Sequence, residues 1–430
     1  LIPSEIIKKK RDGEELSTEE LKFFIEGYLK GKVADYQVSA WCMAVYFKGM
    51  SPREIRDLVE IIGRSGKLLD LSDFDLPKVD KHSTGGVGDK TSITLVPLMA
   101  SCGFLFPKLA GRGLGYTGGT IDKIESIPGF RTNLCLEDLK LALRRSGAII
   151  AAQTEELAPA DKKIYALRDV TATVDSIPLI VSSILGKKLA VGADAWVFDV
   201  KVGKGAFMKE MDKARELATF LISISKDLGK RVCAFITDMD QPLGNNVGNT
   251  IEVEEAIDTL KGKGPADLTE LVLSLGSELS TLANKPLSRE ELYEKIVKGE
   301  ALQKLADIIE AQGGDPRVLE NYNLMPHAPY SFVIEADKAG FIESVDAEKI
   351  GLAVLSLGGG RKRKGKEIDR GVGIRLFKKR GDKVEKGEAI AEILYRSESS
   401  LAEALQFLKS AYSIGERCSI EGKLIYEKVL

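Results

Sequence analysis

The stretch "DKHSTGGVGDKT", residues 80 to 91, sets lysine, histidine and hydroxyl side chains among closely spaced glycines. Such a loop offers what a dianion needs: backbone N–H groups that glycines leave accessible, donors from Ser83 and Thr84, and the ammonium of Lys81. The nucleoside-triphosphate pattern G-x-x-x-x-G-K-[ST] fails here, because Asp89 precedes Lys90 where glycine is required. A second glycine loop, "AGRGLGYTGGT", follows Lys108 and runs to Thr120. Its Gly113, Gly115 and Gly118 fit the dinucleotide fingerprint G-x-G-x-x-G, but Pro128 stops the next helix after about two turns, too short for the usual crossover. Two lysine-bearing glycine loops point instead to phosphate.

A different set of polar residues occupies "ADKKIYALRDVTATVDSIPLIVSSILGKKLAVGAD", which starts at residue 160. Tyr165 and Arg168 are three apart, and Ser183 and Lys187 four apart, so each pair shares a helix face. Ser183 and Lys187 flank an apolar run, which places their face against a cleft. Only two histidines occur, His82 and His327, and His82 lies inside the first loop.

These residues need elements to hold them. At 430 residues with 44% apolar side chains, the chain supports two or three cores. The first 65 residues read as all-helical, with capping boxes at Ser17 to Glu20 and Ser51 to Glu54. Between them "SAWCMAVYFKGM" is too apolar for a surface helix and is expected to be buried in a core or a dimer seam. From about residue 78, short apolar runs alternate with glycine loops and helices, the texture of an α/β sheet. The expected fold is a multidomain α/β and α+β chain. Residues 1–65 with 160–195 form a discontinuous all-helical domain, 66–159 with 196–330 an α/β domain with a central mixed sheet, and 331–430 a C-terminal α+β domain. Connections near 66–78, 155–160 and 190–196 are candidate hinges.

Composition excludes several classes. Charges nearly cancel, 62 basic against 64 acidic, so neither a nucleic-acid nor a membrane-surface partner is indicated. Five cysteines without a C-x-x-C pair, no leader and no long apolar run fit a soluble cytoplasmic protein. The basic run Arg361, Lys362, Arg363, Lys364 and Lys366 lacks interleaved aromatics and reads as a solvated loop. "GDKVEKGEAIAEI" resembles the hairpins of biotinyl and lipoyl carrier domains, without the lysine that would be modified, and reads as a structural half-barrel.

Taken together, "KHSTGGVGDK", "AGRGLGYTGGTIDKIES" and "PADKKIYALRDVTATVDSIPLIVSSILGKK" resemble the pyrimidine-nucleoside and thymidine phosphorylases, and "DVKVGKGAFM", "TDMDQPLGNNVGN" and "LGGGR" match further family segments in order. The resemblance implies reversible phosphorolysis of a pyrimidine nucleoside to free base and α-(deoxy)ribose 1-phosphate, in a homodimer joined through the helical domain. It implies no organic cofactor; inorganic phosphate is a substrate. Lys81, Ser83, Ser92, Lys108 and Thr120 correspond to the phosphate site. Tyr165, Arg168, Ser183 and Lys187 correspond to the base site, with His82, Arg168 and Lys187 assisting departure of the base.

Some members also bind potassium at places corresponding to Gly88, Lys90, Leu243, Asn246 and Glu255, although Lys90 brings an ammonium that could repel or replace the ion. Ala110 stands where the family has a phosphate-contacting serine, and Tyr116 where histidine is common. The rival readings are an anthranilate phosphoribosyltransferase-like glycosyl transfer, which would need magnesium carboxylates, and a nucleoside-binding protein without activity.

Overall fold

A computed structural model describes residues 1–113, 115–116, 118–154, 156–363, 365–416 and 422–430. Helices α1 (Pro3–Arg11), α2 (Thr18–Leu29), α3 (Asp35–Lys48) and α4 (Pro52–Gly63) fill the first 65 residues. Both expected capping boxes form. The N–H of Ser17 donates to Glu20 at 2.7 Å and that of Ser51 to Glu54 at 2.8 Å, while each serine hydroxyl accepts from the glutamate N–H. Helix α3 buries Val38, Trp41 and Val45 but leaves Tyr36 and Phe47 three-quarters exposed, so it is apolar all round yet buried on one side only within this chain.

The chain then builds β1 (Val79–Ser83), α5 (Thr91–Ser101), β2 (Phe106–Ala110), the short α6 (Thr120–Ile124), α7 (Leu136–Ser146) and β3 (Ala148–Ala152). It returns to the helical part for α8 (Pro159–Arg168) and α9 (Ile177–Val191). Close approach of α4 and α9 needs glycine on both helices. A Cβ on Gly186 would lie 2.5 Å from Ile62 Cγ2, and one on Gly63 would lie 3.0 Å from the Gly186 carbonyl. This packing fixes the axial position of Lys187 and Lys188, the residues directly after Gly186.

Next come β4 (Ala195–Val202), α10 (Met211–Asp227), β5 (Arg231–Asp238), β6 (Asn246–Gly248), α11 (Thr250–Leu260), α12 (Ala266–Leu282), α13 (Arg289–Val297) and α14 (Glu300–Ala311). The remaining elements are β7 (Tyr330–Glu335), β8 (Gly340–Val345), α15 (Ala347–Leu357), β9 (Gly373–Leu376), β10 (Lys383–Val384), β11 (Ala389–Tyr395), α16 (Glu398–Leu408), β12 (Tyr412–Gly415) and β13 (Ile425–Val429).

The central sheet is mixed, in the order β1-β4-β5-β13: the first three strands run parallel and β13 runs antiparallel to β5. Strands β2 and β3 form a separate parallel pair beside it. The architecture is therefore a helical part, an α/β part and a C-terminal α+β part, as expected. Three details differ from the sequence reading. Strand β13 leaves the C-terminal part to join the central sheet, and β6, from the α/β stretch, pairs with β9 in the C-terminal part. Strands β10 and β11 do not form a hairpin with one another; β10 pairs with β8, and β11 with β7 and β9. Backbone pairing across distant segments decided these cases, and local pattern carries no record of it.

Candidate active site

A cleft of about 930 Å³ lies over the C-terminal ends of β1 and β2, between both glycine loops on one side and α8 and α9 on the other. Asp80, His82 and Ser83 of β1 line the cleft, whereas the Lys81 side chain is buried beside them. The Lys81 ammonium lies 3.7 Å from Asp199 and 3.8 Å from Asp89, and Lys201 pairs with Asp199 at 2.8 Å. Lys81 is thus the one expected phosphate ligand whose side chain does not line the cleft. Ser83, Ser92, Lys108 and Thr120 all do.

The first loop is braced from below. Ser83 Oγ donates to Asp89 at 2.5 Å, and the Thr91 N–H donates to the other Asp89 oxygen at 3.1 Å. Burial would raise the Asp89 carboxyl, but Lys81 and Lys201 outweigh it and hold Asp89 well below the usual carboxylate range.

The floor of the cleft is crowded with cations. Lys108 Nζ donates to the Lys81 carbonyl at 2.6 Å, and Lys188 Nζ donates to that same oxygen at 2.9 Å while also pairing with Asp80. Burial and then the Lys188 charge push the Lys108 ammonium well below its ordinary value. His82 lies among four lysines. Burial first, then Lys188, Lys108, Lys187 and Lys81, depress its imidazole well below 6.5, so the ring is neutral near pH 7.

Across the cleft, Lys187 Nζ donates to Asp161 at 2.8 Å and to Ser183 Oγ at 2.8 Å. The i,i+4 spacing read from the sequence produces the second contact directly. Arg168 is nearly fully buried and braces the bend between α8 and α9: Nε donates to Thr173 at 3.2 Å, and its two terminal nitrogens to Val174 at 2.6 Å and Leu179 at 2.9 Å. Three of a guanidinium's five donors are thus engaged, leaving two for a ligand. Tyr165 is partly exposed beside it, with the guanidinium 5.7 Å from the ring centroid.

Sequence reasoning missed three contributors. Asp80 and Lys188 join the central sheet to α9 below the cleft; the period of two along β1 was the available signal for Asp80. Arg361, read as part of a solvated loop, is largely buried, pairs with Asp122 at 2.6 Å and lines the cleft; its carbonyl accepts the Gly115 N–H at 3.0 Å. The second glycine loop is therefore clamped by the C-terminal part. Lys364 of that run lies outside the described residues. Ala110 forms cleft wall without a hydroxyl, and Tyr116 Oη accepts from Lys209 at 3.3 Å.

The five residues expected to hold potassium do converge, but around a side chain. Lys90 Nζ donates to the carbonyls of Leu243 at 3.0 Å and Asn246 at 2.9 Å and pairs with Glu255. The Gly88 carbonyl accepts the Lys90 N–H at 3.0 Å. Potassium does not fit beside an ammonium already placed among the same oxygens.

Residues 4–66 match the glycosyl transferase family helical bundle domain, 75–305 the glycosyl transferase family a/b domain, and 341–415 the pyrimidine nucleoside phosphorylase C-terminal domain. The pyrimidine-nucleoside phosphorylase of Bacillus subtilis (strain 168) is 49% identical over 405 residues, 93% of either chain. The chain belongs to the pyrimidine-nucleoside phosphorylase family. The Geobacillus stearothermophilus member is 47% identical over 429 residues and 99% of each chain, so the family likeness spans all three parts of the fold. Anthranilate phosphoribosyltransferase from Thermus thermophilus superposes with a TM-score of 0.57 at 19% identity, over 71% of this chain and 99% of that one. That likeness shows a shared fold alone.

Proposed function

We propose that the protein catalyses reversible phosphorolysis of pyrimidine nucleosides, uridine, thymidine and deoxyuridine, to free base and α-D-(deoxy)ribose 1-phosphate. One observation carries the reading: a single cleft presents Ser83, Ser92, Lys108 and Thr120 on one wall and Lys187, Ser183, Arg168 and Tyr165 on the other, with His82 between.

Phosphate on the glycine-loop wall attacks C1′ while the glycosidic bond loosens, so the configuration inverts and no covalent enzyme intermediate forms. The sugar gains oxocarbenium character and negative charge grows on the departing base. Lys187 and the two unused Arg168 donors face that charge, and His82 supplies a neutral ring N–H to the base carbonyl. Lys81 acts through its charge and its hold on Asp89.

The parts 1–65 with 160–195 and 66–159 with 196–330 close on one another when both substrates are bound. The exposed aromatic face of α3 supports a homodimer joined through the helical part. No helix among the described residues is long and apolar enough to cross a membrane, which agrees with action in the cytoplasm. The test is release of uracil or thymine from the three nucleosides with and without inorganic phosphate. Phosphate-dependent release supports the reading; binding without release, or transfer that requires a phosphoribosyl diphosphate and magnesium, overturns it.

A further inference from the structure

The cage around Lys90 is built as a cation site is built. Two backbone carbonyls and a carboxylate converge on one buried positive centre, and three acceptors satisfy the three N–H bonds of an ammonium. Glu255 is itself held in place, accepting the Asn245 N–H at 2.9 Å and the Asn246 N–H at 3.2 Å. Space is tight. A Cβ on Gly244, at φ +69°, would lie 2.8 Å from the Lys90 ammonium, and one on Gly88, at φ +75°, would lie 2.5 Å from the Leu243 carbonyl. Lys379 grips the other side of the same turn, donating to the Pro242 and Gly244 carbonyls at 2.9 and 3.0 Å. The pairing with the Glu255 carboxylate gives the buried ammonium its counter-charge.

We propose that Lys90 is a built-in cation that takes the place of a bound potassium ion, tethering the phosphate loop to the 243–246 turn and to α11, so that the enzyme works without a free monovalent ion. The tether acts at short range on the ligands of phosphate. Lys90 adjoins Asp89, which holds the Ser83 hydroxyl, and lies two residues before Ser92, which lines the cleft. A bound ion can be lost by dilution; a side chain cannot. Lys90 is thus a positioning residue, acting on phosphate through its neighbours.

The inference rests on the phosphorylase reading for its kinetic arm, and the melting arm needs no turnover, so failure of the two can be told apart. The full-length protein is melted in potassium chloride and in tetramethylammonium chloride at equal ionic strength, and phosphate-dependent uracil release is measured in both salts. The unmodified chain is expected to give the same melting midpoint to within about 1 °C and rates within roughly twofold, since an ion that does not bind the native state cannot stabilise it. A saturable rise of midpoint or rate with potassium overturns the proposal.

Lys90→Thr opens the cage. Potassium, and not tetramethylammonium, is then expected to raise its midpoint and to lower KM for phosphate toward the parent value, with kcat changed less. Lys90→Met keeps the length without the charge and is expected to show a raised KM for phosphate in either salt. Wild-type phosphate KM in both variants, with no response to potassium, also overturns the proposal. If neither variant folds, the two-salt comparison on the unmodified chain decides.

Discussion

Lys187 on α9 and Asp161 on α8 meet at 2.8 Å, so the ammonium proposed to face the pyrimidine is aimed by a carboxylate on the neighbouring helix. Removing the lysine takes away a donor needed most when charge develops on the base. Lys187→Ala is expected to lower kcat by about 10²- to 10³-fold, roughly 3–4 kcal/mol at the transition state. Asp161, nearly buried, loses this partner, at a cost on the order of 1–3 kcal/mol in stability, and the chain stays folded. Circular dichroism alongside steady-state kinetics checks both; retained turnover would remove Lys187 from the mechanism.

His82 gives a prediction in pH. Its pKa in the folded protein is depressed below that of the unfolded chain, so the stability it confers is complete above about pH 6.5 and is lost as pH falls below that value toward the folded pKa. Wild-type protein should therefore lose more melting temperature between pH 7.5 and 5.5 than His82→Asn does. Because the ring acts as a neutral donor, His82 should add no acid limb of its own to the profile of kcat/KM near pH 6.5, beyond the limb that phosphate's second ionisation brings to wild type and His82→Asn alike. A fall of kcat/KM as pH rises through about 6.5 that disappears in His82→Asn would make the imidazolium the working form.

Lys108 predicts a proton count. Its ammonium is depressed by burial and by Lys188, and an arriving phosphate reverses the local field. Binding of phosphate at alkaline pH is expected to be accompanied by proton uptake. Titration calorimetry in two buffers of different ionisation enthalpy measures this directly. Heats that do not depend on buffer would show that Lys108 is already charged in the free protein; in Lys108→Met the uptake should vanish together with most phosphate binding.

The connections read as hinges come together in space. The Lys67 N–H donates to the Glu156 carbonyl at 2.8 Å, and the Leu69 N–H to the Ala190 carbonyl at 2.9 Å. Three segments of chain cross side by side there, which is where the proposed closure would turn. Phosphate with a pyrimidine analogue should shrink the radius of gyration seen by X-ray scattering, more than either ligand alone. Identical profiles in all four conditions would argue against closure.

Much of the site was legible because its geometry is local. The i,i+4 spacing of Ser183 and Lys187, the two glycine loops and both capping boxes need only neighbouring residues to be read. What stayed hidden depends on distant partners. Lys90 looked anomalous in its loop because the oxygens it serves lie some 150 residues on, as its contact with Leu243 shows. Arg361 looked solvated for want of Asp122, and β13 could not be assigned to the central sheet without β5 beside it. Lys81 was expected in the cleft on residue type; its ammonium is buried at the cleft's edge against Asp89 and Asp199, carboxylates that the loop sequence alone does not bring to it.

Arg168 has a consequence for anyone who would redirect the enzyme to other bases. Its guanidinium ties Thr173, Val174 and Leu179 into the bend from which α9 departs, so a substitution there disturbs the course of the helix that carries Ser183 and Lys187. An altered-specificity library that randomises this position will be filled with misassembled proteins, and loss of activity in it will say little about recognition. Tyr165, one turn earlier and partly exposed to the cleft, has no hydrogen-bonded loop to hold among the described contacts. Variation tolerated by the fold, and hence room for new preferences to arise, lies at the tyrosine and not at the arginine.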